Sequence, residues 1–164
     1  IGGGFGANVH LLIEEFGVRK VVYLDISPNL YVGTQYLRSH YGDSVIDVQQ
    51  SFGKQISFQR NDSLEIFCIL PEQIETVSTE IDHFHNAHSF IEMPEQVVRN
   101  YVTKMERIMN PRASTVSLVA YEHTDLENRL PVDSLPEFFS TPSITSRYRP
   151  LIGSGIYRNF IFRY

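Results

Sequence analysis

Apolar and polar positions along the chain alternate between two periods, and each change of period marks an element. Over residues 7–16 apolar side chains recur at Val9, Leu12, Ile13 and Phe16, a helical spacing that Gly17 closes. Lys20 to Ile26 is a short β-rich run ending in an acid, which suits a buried parallel strand. Ser27-Pro28 then predicts an N-cap followed by proline at the first helical position. That helix is expected from Pro28 to Tyr41, with Leu30, Gly33, Thr34, Leu37 and Tyr41 inward and Gly42 as its stop. The polar stretch Asp43 to Ser63 reads as a loop with a short strand at Gln55 to Gln59. Leu64 to Leu70 is a buried strand ended by Pro71, and Pro71 to Ser78 predicts one or two helical turns.

A further strand is predicted at Glu80 to Asn86, followed by a loop through Met93. The best helical stripe follows Pro94: Val97, Val98, Tyr101, Val102, Met105, Ile108 and Met109 share one face, and Asn110-Pro111 closes it. Ser114 to Tyr121 predicts a strand. Glu122 to Pro150, rich in Pro, Ser and Thr, reads as a long irregular connection suited to a substrate loop. Ile156 to Tyr164 is aromatic, partly alternating, and predicts the final strand. Strands alternating with helices give an α/β fold with a largely parallel sheet, and no repeat or boundary suggests a second domain in residues 1–164.

Composition narrows the function classes. A net charge of −5, with arginines scattered singly, argues against a nucleic-acid partner and against a polybasic membrane patch. No apolar run approaches the length of a membrane span, and a cytoplasmic location is expected. Cys68, the single cysteine, lies in an apolar run and reads as an inert core thiol. The chain opens at Ile1, hard against a glycine loop that normally follows a buried strand. The expectation is therefore an N-terminally truncated domain whose first strand lies outside the sequence.

That loop, Ile1-Gly2-Gly3-Gly4-Phe5-Gly6, carries the candidate chemistry. Glycines entering a helix let backbone amides approach a ligand closely. Asp25, near the end of the next strand, stands where such folds hold a ribose. Gly2, Gly4 and Ala7 satisfy the G-x-G-x-x-A pattern of dinucleotide binders. Gly2, Gly4 and Gly6 equally satisfy the G-x-G-x-G loop of class I S-adenosylmethionine methyltransferases. Taken alone, the glycines leave both open.

Three segments together bear a resemblance that separates them. Ile1 to Gly6, Leu24-Asp25-Ile26-Ser27-Pro28-Asn29-Leu30-Tyr31, and Asn86-Ala87-His88-Ser89-Phe90-Ile91-Glu92-Met93-Pro94 resemble a bacterial family of sugar O-methyltransferases. That family pairs an E-I-G-G-G-[FY]-G loop with a D-[IL]-P-x-x-L strand end and an N-x-x-S-F-x-E-M loop. The resemblance spans most of the chain. It implies a Rossmann-like class I methyltransferase fold with an antiparallel last strand, and S-adenosyl-L-methionine as cofactor. It also implies transfer of a methyl group to a hydroxyl oxygen of a small-molecule acceptor, a sugar or glycan on the family's naming. The implied cofactor contacts are Gly2, Gly4, Gly6, Asp25 and Ile26, with Leu70 and Pro71 flanking the adenine and Asn86 near the methionine portion. The acid that precedes the family's glycine loop falls before Ile1, and no oligomeric state is implied.

Methyl transfer to a hydroxyl needs alignment and a group to take the proton. His88 and Glu92 are the candidate bases, His88 having the better-placed ordinary pKa; Glu92 could instead cap the helix at Pro94. His83 and His85 share one face of their strand, with Asp82, Phe84 and Asn86 on the other, so the histidine face should meet polar surroundings. A metal held by His83, His85 and His88 with Glu92 lacks the carboxylate pair of a hard-cation site, so no metal is expected. Two alternatives stand beside the methyltransferase: an NAD(P)-dependent oxidoreductase, which a last strand antiparallel to Ser114–Tyr121 would exclude, and a non-catalytic cofactor-binding module.

Overall fold

The computed structural model describes residues 1–111, 113–121, 130–140, 143–150 and 156–163. It divides into two compact units, Ile1–Thr79 and Glu80–Tyr164.

In the first unit the predicted helix forms as α1 (Ala7–Phe16), and it ends where the Gly17 amide donates to the Ile13 carbonyl and the Val18 amide to the Leu12 carbonyl. Val9 and Ile13 are buried, whereas Phe16 is 72% exposed: it continues the stripe but stands in the last turn, past the covered surface. The apolar run becomes β1 (Lys20–Leu24). Helix α2 (Asn29–Tyr41) starts one residue later than expected, with Pro28 at the cap position and no side-chain cap from Ser27. Its inward face is Leu30, Gly33, Thr34 and Leu37, with Tyr41 half-buried.

The stretch read as a loop is more ordered than its polarity suggests. It holds β2 (Val45–Ile46) and a one-turn helix α3 (Val48–Ser51), whose Asp47 cap accepts from the Gln50 amide at 2.9 Å. The strand expected at Gln55 to Gln59 reduces to a single bridge between Ile56 and Val77. Strand β3 (Glu65–Ile69) sits between β1 and β2, parallel to both. Val21 pairs with Ile66 and Tyr23 with Cys68, so these four share one face, which α1 and α2 cover with Val9, Ile13, Leu30 and Leu37. Cys68 is buried and free, and burial pushes its thiol up to about 11, as expected of an inert core residue.

In the second unit β4 (His83–Ala87) runs parallel to β5 (Thr115–Tyr121). The buried positions of β5 are Val116, Leu118 and Ala120, alternating as a half-covered strand should. Helix α4 (Glu95–Glu106) buries Val98, Tyr101, Val102 and Met105. The expected stripe begins at Val98, because Val97 is 40% exposed. Residues 122–150 are the clearest departure from the sequence expectation. A 3-10 turn at Val132–Phe138 and a strand, β6 (Ser143–Pro150), occupy much of that segment; residues 122–129, 141 and 142 lie outside the described residues. Strand β7 (Ile156–Arg163) lies between β5 and β6, antiparallel to both, giving the order β4-β5-β7-β6. The last strand lies antiparallel beside β5, as the methyltransferase reading expected and the oxidoreductase alternative did not. No described helix is long and apolar enough to cross a membrane.

Candidate functional site

The glycine loop is anchored at the carboxyl end of β1. Gly2 donates to the Leu24 carbonyl at 2.9 Å, and the Asp25 amide reaches Ile69 at the end of β3 at 3.4 Å. Gly2, Gly4, Asp25, Ile26, Leu70 and Pro71 therefore gather at the carboxyl edge of one parallel sheet, where open α/β sheets bind ligands. The Asp25 carboxylate, 5% exposed, accepts the Gly4 amide on Oδ2 and the Ile26 amide on Oδ1, both at 2.7 Å. Each oxygen keeps a further lone pair for another donor.

The glycines divide into two kinds. Gly4 has φ +59 and a Cβ built on it would meet nothing within 4 Å, so a ligand can lie against its bare backbone. Gly6 is buried, and a Cβ there would lie 3.1 Å from Leu37 Cγ. Gly3 and Gly33 are occupied by Tyr23: added Cβ atoms would lie 2.6 Å from its Cδ2 and 2.7 Å from its Cζ respectively. The Tyr23 hydroxyl donates to the Gly4 carbonyl, with the Asn29 carbonyl at 3.3 Å as a second acceptor. Burial, then the Asp25 charge, pushes the Tyr23 phenol pKa well up, which keeps it a donor. Sequence reasoning missed Tyr23 and Gly33. The one available signal was a bulky aromatic two residues before the acid, on the same strand face.

Leu70 and Pro71 follow β3 and open a 3-10 turn, Pro71–Thr76. The Leu70 amide is held at 3.0 Å by Gln73 Oε1, and Gln73, itself 4% exposed, donates to Ser51 Oγ at 3.3 Å. Both residues are half-buried, whereas Ile26 is 59% exposed and offers an open apolar side chain at the same edge.

In the second unit Asn86, His88 and Glu92 fall at the end of β4 and in the turn that follows it. Asn86 is 2% exposed; it donates to Ser89 Oγ at 2.6 Å and accepts the Phe90 amide at 3.2 Å, closing its own turn. His88 has φ 71, a left-handed backbone uncommon for a residue with a side chain. Its amide donates to Val119 at 2.8 Å, and its ring packs on Tyr121 at 4.6 Å between centroids. Burial pulls the His88 pKa below its ordinary value against the opposing pull of the Glu92 charge. Glu92 ends the 3-10 turn Ser89–Glu92 and is exposed; α4 has no side-chain cap, so capping is not its role.

The histidine face of β4 meets hydroxyls, as its alternation suggested. His83 Nδ1 lies 2.7 Å from Thr115 Oγ1, His83 Nε2 lies 3.0 Å from Ser117 Oγ, and His85 Nδ1 lies 2.7 Å from Ser117 Oγ. Among the described residues no group of three His, Cys, Asp or Glu side chains is placed to hold a metal.

No family profile matches the chain, and no curated protein matches it in sequence. Solved structures do. A Pyrococcus horikoshii protein superposes with a TM-score of 0.62 at 12% identity, over 99% of this chain and 80% of that one. The Haemonchus contortus phosphoethanolamine N-methyltransferase 2, solved in complex with S-adenosyl-L-methionine, gives 0.62 at 10% identity, over 99% of this chain and 47% of that one. The mitomycin 7-O-methyltransferase MmcR gives 0.56 at 13% identity, with coverage of 99% and 47%. The chain thus spans about half the length of these two methyltransferases. Likeness at such low identity speaks to architecture, and the architecture is a Rossmann-like class I methyltransferase fold, α/β with an antiparallel last strand.

Proposed function

We propose that the chain is a methyltransferase domain that binds S-adenosyl-L-methionine and methylates a hydroxyl oxygen of a small molecule, a sugar being the acceptor class the sequence resemblance favours. The observation that carries this reading is the Gly4–Asp25 pair: an open glycine backbone whose amide is fixed at 2.7 Å on a carboxylate that keeps acceptor capacity. The residues fit a nucleoside. Asp25 accepts the two ribose hydroxyls, the bare Gly4 backbone admits the sugar closely, and Ile26 with Leu70 and Pro71 covers the adenine faces. Gly2 pins the loop to β1, and Gly6 lets it lie against α2.

S-adenosylmethionine, when bound, supplies an electrophilic methyl on a sulfonium. The acceptor proton needs a base, and His88 serves as that base. Its lowered pKa keeps the imidazole neutral and able to take a proton near neutral pH. Glu92, acting on His88 through its charge, favours the imidazolium that results. Asn86 holds the turn that carries His88, and the sequence resemblance assigns it to the methionine portion. The surroundings are those of the cytoplasm, with no nucleic acid or membrane as partner.

Calorimetric titration with S-adenosylhomocysteine and, separately, with NAD tests the cofactor. S-adenosylhomocysteine should bind and NAD should not; binding of NAD alone contradicts the reading.

A further inference from the structure

Tyr23 is the buried centre of the glycine loop, although nothing in the proposed chemistry requires a phenol. Its ring fills the space that side chains on Gly3 and Gly33 would occupy, with built Cβ atoms 2.6 Å from Cδ2 and 2.7 Å from Cζ. Its hydroxyl donates to the Gly4 carbonyl. The amide of the same residue donates to Asp25 Oδ2 at 2.7 Å. Gly4 is thus held at both ends by β1, its carbonyl by Tyr23 and its amide by Asp25. The second Asp25 oxygen is fixed at 2.7 Å by the Ile26 amide. With φ +59 and open space where a Cβ would stand, Gly4 has no side chain to lock it. The Gly3–Gly4 peptide is held by the Gly4 amide on Asp25 and by the Gly3 carbonyl, which accepts the Gly6 amide at 3.1 Å, and Tyr23 holds the carbonyl of the next peptide.

We propose that Tyr23 is a positioning residue for ribose recognition: by holding the Gly4 carbonyl it aims the Gly4 amide at Asp25, and so fixes the orientation in which the carboxylate meets the two ribose hydroxyls. This rests on the nucleoside reading of the Asp25 edge. Binding groups held before the ligand arrives spare the ordering cost that association otherwise carries. Gly33 belongs to the same device, because α2 approaches closely enough for a Cβ there to lie 3.1 Å from the Gly4 carbonyl oxygen. A larger residue at position 33 would displace both the phenol and the carbonyl it holds.

The test compares adenosine with 2′,3′-dideoxyadenosine on wild type and on Tyr23→Phe, by calorimetry. Wild type should prefer adenosine by about tenfold, the worth of hydrogen bonds to a charged acceptor. Tyr23→Phe should lose most of that preference while its affinity for the dideoxy compound stays within about twofold, because only the aim of Asp25 has changed. Equal weakening of both ligands would make Tyr23 a structural residue, and an unchanged preference would remove it from ribose recognition; either outcome overturns the proposal. A wild type that binds neither nucleoside, or binds both equally, defeats the nucleoside reading itself and the proposal with it. A second measurement needs no variant. In the free wild-type protein the Gly4 amide should exchange with solvent slowly, as an amide aimed at a buried carboxylate must; rapid exchange contradicts the proposal even where Tyr23→Phe fails to fold.

Discussion

Two parallel strands of this protein end beside a buried polar residue, and they use it differently. After β1, Asp25 accepts an amide from a segment 21 residues away, and the link joins two separate pieces of chain. In β4, the Asn86 side chain reaches three and four residues ahead, to Ser89 and Phe90, and closes its own turn. Asp25 is a charge with lone pairs to spare, whereas Asn86 spends both ends of its amide on local geometry. The contrast extends to their neighbours. Around Asp25 the packing is set by size, through glycines that make room for Tyr23. On the opposite face of β4 from Asn86 it is set by polarity, with His83 and His85 bonded to Thr115 and Ser117. The first arrangement is a rigid cradle whose fit depends on missing side chains. The second is a polar surface whose state depends on protons.

The largest effect should come from filling the cradle. Gly33→Ala and Gly3→Ala each place a methyl group against the Tyr23 ring, which is 2% exposed and cannot swing clear. Each should lower stability by about 3 kcal/mol, seen as a fall in the urea midpoint. The two should part company on a Tyr23→Phe background. Removing the hydroxyl relieves the overlap at Gly33, so that variant recovers in part; the overlap at Gly3 is with ring carbons and remains. Equal recovery of both would refute the geometry of the cage.

A smaller effect should follow at the end of β4. Asn86→Ala leaves the buried Phe90 amide without its side-chain acceptor and should cost about 1–2 kcal/mol in the same denaturation assay. A neutral result would mean that the turn holds without Asn86, and the contrast with Asp25 would lose its force.

The smallest should be a change in pH dependence. His85 is lowered from an ordinary 6.5 to about 4, chiefly by burial. The unfolded chain therefore binds more protons than the folded one between those two values. The stability His85 confers is complete above pH 6.5 and is lost as pH falls towards about 4. His85→Gln should flatten part of the slope of stability against pH in that window. An unchanged slope would show that other groups set it.

The sequence revealed these two regions unequally. The glycine spacing, Asp25 and the Asn86–Glu92 stretch were legible because each is a local motif. The alternation of β4 correctly set His83 and His85 apart from Phe84 and Asn86. Tyr23 was not legible: in sequence it is one aromatic among β-formers, and its role appears only once Gly3, Gly4 and Gly33 converge on it. Strand β6 was hidden for a similar reason. Its Pro-, Ser- and Thr-rich surroundings read as loop, and its pairing comes entirely from the register with β7. The helix over residues 7–16 was legible from its spacing, but periodicity gives a face and not how far the covered surface extends along it, so the exposure of Phe16 was not.

Asp25 is proposed as the ribose acceptor of a nucleoside site. That role is tested most directly by titrating S-adenosylhomocysteine into wild type and Asp25→Ala, with folding of the variant checked by circular dichroism. Wild type should bind clearly, and the folded variant should lose at least about tenfold in affinity. Equal affinity for the two proteins would contradict that role.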